Sequence, residues 1–177
     1  MKNSFSRIVL VGSLVLISAG ASFAQTTANQ KAAASATIIQ PITLNKTTDL
    51  EFGIVVPGAT PGTVTVGYDG SRASGGGASL LAGNPGSIGS AHFDATGQPN
   101  SAYTISIPVS VTITNTGGAG ETMTVDNFVS DPGAGTATFG VAGTQLIRVG
   151  ARLNVGTNQV AGVYTNATGV DVTINYN

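Results

Sequence analysis

The sequence predicts an all-β fold, a single antiparallel β-sandwich, on three observations. Hydrophobicity alternates with a period of two in one segment after another, no segment sustains a period of 3.6, and Pro/Gly turn signals separate the apolar runs. Side chains alternate faces along a strand, so period-two hydrophobicity marks a half-buried sheet. Short strands divided by turns at spacings of roughly 8–20 residues suit two packed sheets rather than βαβ units.

The elements follow in order. Leu50, Phe52, Ile54 and Val56 alternate with other residues in a short strand, and Val64, Val66 and Tyr68 form another. The clearest run is 103–113, where Tyr103, Ile105, Ile107, Val109, Val111 and Ile113 occupy every odd position. Pro108 falls inside it and predicts an edge or a bulge, because proline cannot donate to a ladder. Val149, Ala151, Leu153 and Val155 repeat the pattern, as do Val170, Val172, Ile174 and Tyr176, with Asp171, Thr173 and Asn175 facing out. Weaker strands are expected at 78–82, 90–95, 121–129 and 136–141, and Arg72–Gly89 reads as a loop or ragged hairpin. Pro57-Gly58, Pro61-Gly62, Asp69-Gly70, Asn84-Pro85-Gly86, Gly117-Gly118 and Pro132-Gly133 supply the fixed or positive φ that tight turns want. An outer-membrane barrel is the competing all-β reading. It sits poorly with 6% aromatics, no Trp and a final Asn177.

The N-terminus reads as an export signal. Lys2 and Arg7 precede an apolar run from Ile8 to Ala19, followed by Gly20-Ala21-Ser22-Phe23-Ala24, with Ser22 and Ala24 at the positions a signal peptidase reads. The alternative, a membrane anchor, needs about 20 apolar residues. The expected organisation is a signal peptide at 1–24, a flexible arm at 25–35 and a sandwich domain at 36–177. The location is periplasmic, cell-surface or extracellular, with no membrane span after cleavage.

Composition excludes much chemistry. The chain has no Cys, one His, 7 Lys+Arg and 8 Asp+Glu, for a net charge of -1. Thiol catalysis, disulfides and Cys-based zinc sites are ruled out, and the basic stripe that nucleic acid requires is missing. His92, between Ala91 and Phe93, shares the polar face with Asp94 and reads as a solvated strand histidine. Asp49, Glu51, Asp69, Asp94, Glu121, Asp126, Asp131 and Asp171 are scattered without oxygen-ligand spacing. Gly75-Gly76-Gly77 lacks the surroundings of a phosphate loop. Arg148 and Arg152 share a strand face and could touch an anion, although a solvated face is the favoured reading. Asn45-Lys46-Thr47 and Asn166-Ala167-Thr168 match a glycosylation triplet that is common by chance. No catalytic residue, cofactor or metal is expected, and the chain does not read as an enzyme.

The functional hint lies at the termini. Residues 25–44 read QTTANQKAAASATIIQPITL, with Ala36, Ile38, Ile42 and Leu44 alternating and Gln40 interrupting the row. The chain then ends on the strand Val170–Tyr176. An arm carrying an alternating strand, together with a strong terminal strand, suits strand donation between subunits, which also covers bare sheet edges. The ordinary alternative makes 36–44 the first strand of a closed sandwich. Charged residues are only 8%, against about 25–35% on a freely soluble surface.

The run Ala36-Thr37-Ile38-Ile39-Gln40-Pro41-Ile42, then Leu50-Glu51-Phe52-Gly53 and Pro57-Gly58, resembles the opening of the secreted bacterial family DUF4402. Its close is similar too: Val149-Gly150-Ala151-Arg152-Leu153-Asn154-Val155, Gly162-Val163-Tyr164, and Val170 to Asn177. This resemblance implies secretion and an immunoglobulin-like, Greek-key sandwich, and carries no catalytic residues. A looser similarity, in the arm and the penultimate aromatic, runs to chaperone–usher pilins, which often hold a disulfide that this chain lacks. The expected function is a self-associating fimbrial-type surface subunit assembling by β-strand addition, with Ile38, Ile42 and Leu44 as plugging side chains. Its partners are copies of itself in an oligomer or fibre, and a periplasmic chaperone. The other expectation is a self-contained carbohydrate- or matrix-binding sandwich, which needs exposed rings from Tyr68, Tyr103, Tyr164 or Tyr176.

Overall fold

The structure, a computed structural model, describes residues 27–177. The expected signal peptide at 1–24 lies outside the described residues, as do the first two residues of the arm. The chain divides into one unit ending at Thr37 and a compact unit Ile38–Asn177. In the first, residues 27–37 carry neither helix nor strand and every one is exposed.

The compact unit is built from strands. Its long elements are β1 (Thr43–Thr48), β4 (Gly62–Val66), β5 (Arg72–Gly76), β8 (Ala91–Thr96), β9 (Ala102–Ser106), β10 (Ser110–Asn115), β11 (Thr122–Asp131), β12 (Gly135–Thr138), β13 (Thr144–Val155) and β15 (Thr173–Tyr176). Two-residue pieces fill the gaps: β2 (Glu51–Phe52), β3 (Val55–Val56), β6 (Ser79–Leu80), β7 (Ile88–Gly89) and β14 (Tyr164–Thr165). The large sheet runs β1-β8-β13-β11-β10-β14, with β4 also on β13 and β5 on β4; the small sheet runs β12-β9-β15. All the pairings are antiparallel.

The axis of the molecule is β13, whose Ile147, Val149, Ala151, Leu153 and Val155 are all buried. One edge of its first half pairs with β8, placing Ile147 opposite Phe93, and the same edge of its second half pairs with β4, placing Leu153 opposite Val64. The opposite edge pairs with β11. Gly150 sits at the change of partner, where a Cβ would collide with the carbonyl of Val66. Above the first half of β13 lies the small sheet. Ala91, Phe93, Ala95, Ile147 and Val149 meet Tyr103, Ile105, Phe139 and Ile174 in one cluster between the two sheets. This face-to-face packing makes the unit the all-β sandwich that the alternation predicts. Each fully buried large side chain contributes roughly 1.5–3 kcal/mol.

Three strand boundaries differ from expectation. The run 103–113 is two strands in different sheets, broken at Ile107-Pro108-Val109, with Val109 89% exposed. Both halves point at the same interior, so the alternation passes through the crossover unmarked, and Pro108 lies in the connection rather than in an edge strand. The terminal strand is only Thr173–Tyr176; Val170 and Val172 precede it, behind Gly169 at φ +76°. The first strand begins at Thr43, not at 36. The expected strand around Leu50–Val56 is split by Gly53 at φ +70°, a conformation that favours glycine. Arg72–Gly89 does hold a hairpin strand, β5, followed by short pieces.

A candidate docking groove

Over the second half of β13 the three-stranded sheet does not extend; the two-residue pieces β2 and β3, paired with β7 and β6, bring Phe52, Val55 and Leu80 against it. Val64, Val125, Ala151, Leu153 and Val155 form a second buried cluster, with Val111, Ile113, Met123 and Phe52 half-buried against it. A groove of about 1170 Å³ opens above this floor. Leu50–Val55 make one wall, on the β4 side, and Gln159–Val172 make the other, on the β10 side. β10 has a ladder partner on its outer edge only at Thr114 and Asn115, through β14, so Ser110–Ile113 present an unpaired edge. On the small sheet, β15 likewise pairs on one side only.

Each wall is pinned by polar contacts rather than by a ladder. The Arg72 guanidinium donates to the carbonyl of Ile54 at 2.7 Å, bracing the first wall. Burial lowers its pKa from the usual arginine value, and its Nε has no hydrogen-bond partner. In the second wall the Tyr164 hydroxyl donates to the carbonyl of Val160 at 2.7 Å and accepts from Gln159 Nε2 at 2.8 Å. The carbonyl of Val163 accepts from the backbone N–H of Thr116 at 2.8 Å. The buried Asn115 lies against Gly162 and accepts from the N–H of Gly117 at 3.1 Å. Asn166 accepts from the Thr168 N–H at 2.9 Å and donates to the carbonyl of Gly169 at 2.9 Å, turning the wall back toward β15. Lys46, Asp49, Glu51 and Asp171 are the charged residues of the groove lining, and Lys46 pairs with Asp49. The remainder is acidic.

The structure separates the three strand-donor candidates. Ile42 and Leu44 pack against their own first cluster, and Leu44 pairs with Ala95 in β8. Ile38 is 95% exposed. The four terminal-strand residues are also divided. Ile174 is buried in the first cluster, Val172 packs on its edge, and Val170 lines the groove. Tyr176 donates its hydroxyl to the carbonyl of Gln40 at 2.8 Å and accepts from the N–H of Gln98 at 2.6 Å.

The remaining polar candidates are occupied locally. His92 Nε2 lies 3.1 Å from Ser90 Oγ, but that hydroxyl already donates to the carbonyl of Tyr68, so no nucleophile is primed. Arg152 binds Asp126 through two guanidinium nitrogens at 2.9 and 3.1 Å, and Arg148 reaches Asp131 at 3.4 Å. The hydrogen bond from Arg152 is the main cause of a lowered Asp126 pKa. Of the tyrosines, Tyr68 alone is exposed; Tyr103 is fully buried, and the hydroxyls of Tyr164 and Tyr176 are engaged inside the fold. The groove itself went unpredicted by sequence reasoning. The weak alternation of 156–169 is the one signal that this stretch does not cover the core as a strand.

Comparison with known proteins gives a family match that extends over nearly all of the compact unit. The family described as Domain of unknown function (DUF4402) matches residues 42–176. A search of curated proteins finds no relative of significant similarity. With its alternating strands and the greater part of its length covered by that match, the chain belongs to the DUF4402 family.

Proposed function

We propose that this is an exported structural subunit that self-associates by β-strand addition, the arm of one copy filling the groove of the next. The observation that carries the reading is an apolar groove over a finished sheet, in a chain whose own arm is unpaired. In residues 27–39, Ala28, Ala32, Ala34, Ala36 and Ile38 share one face, interrupted by Gln30, and Thr27, Asn29, Lys31, Ser35 and Thr37 share the other with Ala33 and Ile39. Of the original donor set this reading keeps Ile38 and replaces Ile42 and Leu44, which their own core retains, with the alanines. Main-chain bonds to the unpaired edges supply affinity, and the alternate side chains supply register. Lys31 is the arm's cation and the groove rim is acidic. The groove exceeds the roughly 300–1,000 Å³ typical of small-molecule pockets, which suits a chain segment. The role is structural rather than catalytic, and it is played in the periplasm or at the cell surface, where a chaperone would shield the groove before assembly.

The test is sedimentation and thermal unfolding of the full-length secreted protein with a synthetic peptide of residues 27–39. Concentration-dependent polymers are expected, capped by excess peptide. The peptide should raise Tm, since mass action stabilises the folded domain by about 2.7 kcal/mol at 100 times its Kd. Ile38→Asp should abolish polymers without lowering the Tm of the domain. A protein that stays monomeric and ignores the peptide would refute strand addition.

A further inference from the structure

We infer that Tyr176 and Gln98 form a clasp on Gln40 that sets where the chain stops serving its own sheet and becomes the donor arm; this rests on the strand-addition reading above. Gln40 is held on both sides of its backbone. Its N–H donates to Gln98 Oε1 at 3.1 Å, its carbonyl accepts from the Tyr176 hydroxyl at 2.8 Å, and the N–H of Gln98 donates to that same hydroxyl at 2.6 Å. The three bonds close a ring joining residues 58 and 136 positions apart in the chain.

The ring stands where burial reverses within one alternating row. Two residues after Gln40, Ile42 packs on the first cluster; two residues before it, Ile38 is 95% exposed. A strand of period two carries no internal mark of where pairing should end, and a slip of two residues keeps every side chain on its face. Without a stop, Ile38 could be drawn into the chain's own sheet edge, or Leu44 drawn out of it. A polar residue in the row, gripped by two distant side chains, supplies that stop.

Tyr176 is itself fixed from below. Its ring meets Phe139 edge-on at 6.4 Å, and Phe139 stacks on the fully buried Tyr103 at 4.2 Å. Gly97 allows the approach, since a Cβ there would lie 2.5 Å from the Phe139 ring and 2.7 Å from the Tyr176 hydroxyl. Val170–Val172, which line the groove, lead directly into the strand that carries Tyr176. One C-terminal segment therefore borders the place that receives a neighbour's arm and holds the root of its own. Fixing the root shortens the free arm and lowers the ordering cost of donation. Tyr176 is thus a positioning residue for assembly, acting through Gln40.

The experiment uses full-length Tyr176→Phe and Gln98→Ala, read by amide hydrogen exchange, by binding of the 27–39 peptide, and by self-association. In both variants exchange at Gln40–Leu44 should quicken, and peptide affinity should match wild type because the groove is untouched. Self-association should weaken, about fivefold in Gln98→Ala, the worth of the one neutral hydrogen bond it removes, and further in Tyr176→Phe, which removes two. Unchanged self-association despite faster Gln40 exchange would overturn the clasp while leaving strand addition standing. A Gln40 amide that in wild type exchanges as fast as residues 27–37 would overturn it as well. A wild-type protein that fails to bind the peptide would remove both proposals. Should Tyr176→Phe lower Tm by several degrees, Gln98→Ala, at a half-exposed side chain, decides alone.

Discussion

The two halves of the interior share a strand and differ in what lies opposite it. In the first, Ile147 and Val149 of β13 face the small sheet, and Tyr103, Phe139 and Ile105 seal the space from above. In the second, Leu153 and Val155 of the same strand sit under the groove, and Val111, Ile113 and Met123 beside them remain half-exposed. The floor is as regular in one half as in the other. The roof differs: three paired strands over the first half, and over the second only the two-residue pieces β2-β7 and β3-β6 beside the irregular stretch Gln159–Val172, held by side-chain-to-backbone bonds. Sandwich cores are completed by pairs of alternating faces, and on the strand-addition reading a neighbour's strand supplies the regular second face that this half lacks.

That contrast can be broken or sharpened in three ways, beginning with the largest effect. Phe139→Ala, in the sealed half, should cost about 3–5 kcal/mol in chemical denaturation; a loss below about 1 kcal/mol would mean the first cluster does not anchor the fold. Met123→Ala, in the open half, should cost only about 1 kcal/mol, because its side chain already meets solvent. The cost should grow when the 27–39 peptide is present at saturation, since the added strand then buries Met123. An identical cost with and without peptide would place the peptide elsewhere. The smallest effect concerns Asp126, on the outer face of β11, whose pKa Arg152 holds below the ordinary carboxylate value. A depressed folded pKa contributes stability that is present above the unfolded value of about 3.9 and is lost as pH falls through the folded value. Arg152→Gln should therefore flatten the acid limb of the stability profile below about pH 5 and leave a constant offset above it. Both side chains are partly exposed, so solvent screens the pair. This change should be indifferent to the peptide.

Legibility followed the strength of the alternation. Val64, Val66, Leu153 and Val155 are buried as their spacing predicts. The 90–95 segment was a weaker expectation, yet it is β8, central to the large sheet; its inward residues include Ala91 and Ala95, whose small side chains carry little hydrophobic signal. The break at Pro108 was anticipated as an irregularity and not as a change of sheet. Ile38, Ile42 and Leu44 look alike in sequence, and their fates diverge because Gln98 and Tyr176, remote in the chain, close on Gln40 between them.

By itself the sequence determined the class of fold, most strand faces, the absence of thiol chemistry and the presence of an alternating arm, because each depends on residues near one another or on composition. Tertiary structure alone decided which sheet each strand joined, which half of the core was roofed, and where the arm parts from the domain. Those outcomes turn on contacts between segments far apart in the chain, and an interior left uncovered has no local pattern to announce it.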